Sequence, residues 1–224
     1  MKGLLWPIAT MVWKDIVLEL RSRELVVSVI VFGLLLAVVF NFALRPSPGQ
    51  ATALAPGILW VSFAFAATLA MNRAFVREQE AGALEGLLVS PVSRDAIFLA
   101  KAATSFIFML LVEAALLPAY AVMLRFSALS WTLGAVILLA TLGFALIGTL
   151  FSALAAQTRS REIMLPVLFF PIITPVIIAA VAVSQGALSG ESFVTMGRWL
   201  LLIGVFDALF LVICPWVFSF IVED

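Results

Sequence analysis

A 224-residue chain that is 64% hydrophobic and 12% charged, with a mean hydropathy of +1.21, is too greasy for a soluble domain, which is nearer half apolar and a quarter charged. The formal net charge is zero, so charge balance carries no nucleic-acid signal. With no histidine and one cysteine, Cys214, the chain has no imidazole ligand, no histidine acid–base chemistry and no internal disulfide.

From the N-terminus, residues 1–24 are too polar to span a bilayer and lack the apolar core of a cleavable signal peptide. Val12, Trp13, Ile16, Val17 and Leu20 share one helical face. Lys14, Asp15, Glu19 and Arg21 fall elsewhere on the helix. This pattern predicts a helix lying in the membrane interface and leading into the first span.

Six apolar stretches follow, near residues 25–44, 51–71, 97–124, 131–156, 163–184 and 199–222. About 20 residues at 1.5 Å each cross a hydrocarbon core of about 30 Å, so each is long enough. The expected fold is an all-α integral membrane protein in one domain spanning residues 1–224. Lys and Arg favour cytoplasmic loops. With the N-terminus inside, the outside loops hold only Arg45, Arg125 and Arg198, while the inside segments collect the other ten basic residues. Both termini are therefore expected in the cytoplasm. Trp131 and Trp199 are expected at the outer interface.

Between the second and third spans runs REQEAGALEGLLVSPVSRD, from Arg77 to Asp95, the longest charged segment of the chain. Leu84, Leu87 and Leu88 have the spacing of one helix face, with Glu80 and Glu85 on its rim. Pro91 should stop that helix. Ser93 is a plausible N-cap for the third span, with Asp95 in its first turn. Residue chemistry alone leaves two readings open: a solvated loop whose leucines dip into the membrane, or a short helix offering an apolar face and an acidic rim to a cytoplasmic partner.

Two acids fall within predicted spans, Glu113 in the third and Asp207 in the sixth. An ionisable group in hydrocarbon is costly and usually faces a cavity or a partner. Counted from the outer ends of their spans, the two lie at similar depth. They are expected either to line one polar outer cavity or to bond neighbouring hydroxyls such as Thr104 and Ser105. In the fourth span Ala145, Thr149 and Ala153, with Gly148 and Ser152 beside them, make a close-packing face. In the fifth, Pro166, Pro171 and Pro175 each remove a backbone donor, so that helix should bend or open, statically or as a gate.

The stretch FVREQEAGALEGLLVSPVSRDAIFLAK resembles the first cytoplasmic loop of the CcmB family, permeases of cytochrome c maturation within the wider ABC-2 exporter class. The matching positions are Phe75, Glu78, Glu80, Gly82, Leu84, Glu85, Gly86, Leu87, Leu88, Pro91 and Lys101. A second match lies at Trp13, Lys14, Asp15, Glu19, Arg21, Arg23 and Glu24. The likeness extends along nearly the whole chain. It implies six spans, an N-terminal interfacial helix and a cytoplasmic coupling helix between spans 2 and 3, with Glu78 to Pro91 docking in a cleft of an ATPase subunit. It also implies a bacterial inner-membrane complex containing that CcmA-like ATPase, a second copy of the permease, CcmC-like and CcmD-like membrane proteins, and a CcmE-like haem chaperone. The chain itself has no G-x-x-x-x-G-K-[ST] phosphate loop, so ATP would act through the partner and no catalytic residue is expected here. Haem would be a transient substrate, exported or released with its chaperone. The alternatives are an ABC-2 permease for a lipid or glycan and a proton-coupled transporter using Glu113 and Asp207.

Overall fold

The computed structural model describes residues 2–21, 23–44, 48–80, 92–126, 130–156 and 161–221. All regular structure among them is α-helical: α1 (Lys2–Arg21), α2 (Arg23–Leu44), α3 (Pro48–Glu80), α4 (Arg94–Leu124), α5 (Trp131–Ala156), α6 (Arg161–Ser189) and α7 (Phe193–Ile221). Helices α2 to α7 are each long and apolar enough to cross a membrane, matching the six stretches expected from hydropathy.

The ends of these helices follow local chemistry. Ser93 caps α4, its extended backbone at φ −64° and ψ 144° and its hydroxyl accepting from the Ala96 amide at 3.4 Å, with Asp95 in the first turn. Arg125 closes the same helix in the left-handed conformation, φ 56°, its amide donating to the Ala121 carbonyl. Gly190, at φ 72°, ends α6, where a Cβ would be strained. Helix α6 runs five residues beyond the expected 184, and α7 begins at Phe193 rather than near 199.

Helix α5 is the hub, packing against α3, α4, α6 and α7. Its small side chains allow this. A Cβ on Gly148 would stand 1.7 Å from Met71 Sδ of α3, so any larger residue there would have to displace the Met71 side chain. Trp60, Phe63, Phe144, Phe169 and Tyr120 fill the centre, joined by edge-to-face ring contacts, and the Trp60 indole donates to Ser184 at 2.9 Å.

Helix α1 lies against α4 and α2. Trp13 is 72% exposed and Trp6 74%, whereas Asp15, assigned by periodicity to the polar side, is buried. A charged partner on α4, described below, accounts for the burial of Asp15. The N-terminal end of α4 is also tied to α7: the Arg94 guanidinium donates to the Ser219 carbonyl at 3.2 Å, and Phe98 packs on Phe218.

A candidate functional site of buried polar groups

The polar residues inside this bundle gather on α4 and its neighbours. Lys101, Thr104 and Glu113 are all buried on α4, as are Thr141, Thr149 and Ser152 on α5. Glu113 accepts a hydrogen bond from Thr141 at 2.7 Å, and Thr149 donates to Ser105 at 3.4 Å. These pairs lie eight residues apart on each helix, running in opposite directions, as two antiparallel helices in one fixed register require. The hydroxyls first considered for Glu113 are used elsewhere: Thr104 donates to the Ala100 carbonyl at 3.0 Å, and Ser105 receives Thr149. Eight residues along a helix is about 12 Å, out of reach of a glutamate side chain.

On its other side Glu113 borders a small cavity between α2, α3 and α4, about 10 Å³ in volume, at the lower limit for a single water. Phe63, Ala67, Phe108 and Met109 make its walls mainly apolar.

Asp207 stands apart from this arrangement. It is 4% exposed, and neither carboxylate oxygen has a hydrogen-bond partner. It lies in the buried stripe of α7 with Ile203 and Cys214 and faces Gly143 of α5, where a Cβ would come within 2.8 Å of Oδ1. Thr141 and Gly143, two positions apart, point about 200° apart around α5. The two acids therefore share a depth but meet opposite sides of one helix. Depth along the membrane carries no information about azimuth, so equal depth alone does not bring the two acids together. Asp207 does not line the cavity beside Glu113.

Two further polar contacts went unforeseen. The Lys101 ammonium lies 2.6 Å from Asp15 Oδ2, joining residues 86 apart in sequence. Tyr120 donates to the Gly33 carbonyl of α2 at 2.8 Å, and Gly33 is itself packed against Leu116. Each was marked in the sequence only by a lone polar residue in apolar surroundings, with nothing to name its partner.

The three prolines of α6 do not interrupt it: Arg161–Ser189 is one helix. Pro171 and Pro175, one turn apart, are both exposed, so their lost hydrogen bonds lie on the outward face rather than over the core.

Of the residues expected to meet an ATPase, Glu78 and Glu80 belong to the last turns of α3, which continues from the second span with no break at Asn72 and Arg73. Gly82, Leu84, Glu85, Gly86, Leu87, Leu88 and Pro91 lie outside the described residues.

A family model described as CcmB protein matches residues 7–223. The chain belongs to the CcmB family. Relatives within reach by sequence include Heme exporter protein B of Haemophilus influenzae, 27% identical over 78% of this chain and 79% of that protein. Heme exporter protein B of Rhodobacter capsulatus is 29% identical over 70% and 72%. The protein of the same name from Escherichia coli K12 is 33% identical over a shorter stretch, 41% and 43%. The CcmB match thus takes in α1 from Pro7 as well as all six spanning helices, so the buried contacts described above lie inside the family's own extent.

Proposed function

We propose that this chain is the membrane permease subunit of an ATP-driven complex that handles haem in the making of c-type cytochromes. The observation that carries the reading is the CcmB match along residues 7–223, together with relatives named Heme exporter protein B. Six spanning helices and a buried polar seam between α4 and α5 fit a transport subunit. Energy comes from a separate CcmA-like ATPase that grips residues 77–91, and the paired ATPase implies two copies of the permease. CcmC-like and CcmD-like proteins complete the complex, and a CcmE-like chaperone receives the haem. The distribution of Lys and Arg puts both termini in the cytoplasm of a bacterial inner membrane. In this orientation the Lys101–Asp15 pair and the start of α4 stand on the ATPase side.

The reading is tested by removing the chain from a bacterium that makes c-type cytochromes. Covalent haem attachment should stop and should return with the wild-type chain. Asp at both Leu84 and Leu87 should leave membrane insertion intact while ATPase recovery falls by about a hundredfold or more, given about 1.5–3 kcal/mol for each buried leucine. Normal cytochrome maturation without the chain would overturn the assignment. Undiminished ATPase recovery would overturn the docking site.

A further inference from the structure

Helix α1 turns its less apolar side toward α4. The apolar side includes Trp13, and Trp6 and Trp13, seven residues apart on it, point outward at 74% and 72% exposure. Turned inward instead is Asp15, 6% exposed, whose Oδ2 meets Lys101 Nζ at 2.6 Å. Lys101 stands two turns into α4 and is 5% exposed. The second carboxylate oxygen of Asp15 lies 2.9 Å from the ammonium of Lys14, which is exposed.

A buried ion pair adds little stability compared with apolar residues of the same volume, because desolvation offsets the attraction. What it adds is direction. Apolar contacts between helices are tolerant of rotation, whereas a buried charge contact is satisfied over a narrow range of angles. A step of one residue moves a side chain by about 100° around the helix. We propose that the buried Lys101–Asp15 pair sets the rotation of α1 on α4, holding the side that carries Trp6 and Trp13 outward, and that the pair serves orientation rather than stability. The argument uses only contacts inside this chain, so it stands apart from the transport reading.

The experiment measures orientation directly. The full chain, with Cys214→Ala and nitroxide labels on Thr10→Cys of α1 and Leu111→Cys of α4, both exposed positions, is placed in lipid nanodiscs. Pulsed electron–electron resonance then gives the distance between the labels. One narrow distance is expected with the native pair. Asp15→Leu with Lys101→Met should give a protein that melts no lower than the parent, with the distance broadened or displaced by about 5 Å, half the width of a helix. Exchanging the charges, Asp15→Lys with Lys101→Asp, should restore the single narrow distance. A native distance in the apolar variant would overturn the proposal. So would loss of folding in the apolar variant while the exchanged pair folds, since the pair would then be needed for stability. An exchanged pair that folds but shows a broad distribution would overturn it as well.

Discussion

Helices α5 and α7 are both strongly apolar and of similar length, yet α5 is mostly buried and α7 mostly exposed. Side-chain size separates them. The C-terminal half of α5 reads GFALIGTLFSALAA, and its buried positions include Ala145, Thr149, Ser152 and Ala153. The outward side of α7 carries Leu201, Val205, Leu209, Val212 and Trp216. Within a bilayer, lipid tails solvate leucine as well as another helix does. Association is therefore decided by how closely backbones approach and by which polar groups find partners. Hydropathy selects both helices for the membrane and is silent about which becomes the centre.

The comparison breaks first at Gly148. Leucine there would drive into Met71, whose Sδ is already 1.7 Å from a Cβ position, and should cost about 3 kcal/mol. Thermal unfolding in detergent should show the drop, with partial recovery when Met71 is changed to Ala. A smaller effect is expected at Gly143. Alanine there meets the Asp207 carboxylate at 2.8 Å and should cost about 1–2 kcal/mol. Combining it with Asp207→Ala should recover much of that, and a cycle of the four proteins would measure the coupling between α5 and α7. The smallest change sharpens the contrast. Gly204 of α7 has nothing within 4 Å of its Cβ position, so Gly204→Ala should stabilise by about 0.5 kcal/mol through helix propensity alone. Equal losses at Gly148 and Gly204 would erase the distinction between hub and periphery.

Much of this was legible in the sequence. The six spans, the Ser93 cap and the close-packing face around Gly148 follow from hydropathy, capping chemistry and residue size, all of which act over a few residues. What was not legible is pairing. Glu113 finds Thr141 and Lys101 finds Asp15 because helices distant in sequence are brought together, and no local pattern encodes that meeting. The same gap hid the burial of Asp15 on α1, whose partner lies 86 residues away. It also allowed two acids at one depth to be imagined facing each other. Asn72 and Arg73 read as the end of a span, but neither breaks a helix, and α3 runs on through them to Glu80.

The two hydroxyl bridges along the α4–α5 seam also limit how this molecule can move. A slide of one helical turn would set Glu113 against Ile137 or Ala145 and Ser105 against Ala145 or Ala153, stranding a carboxyl group among hydrocarbon at every step. Such a slide has no intermediate stopping place, so the two helices travel together as a single beam. Any alternation between inward-open and outward-open shapes must pivot around that beam rather than shear along it.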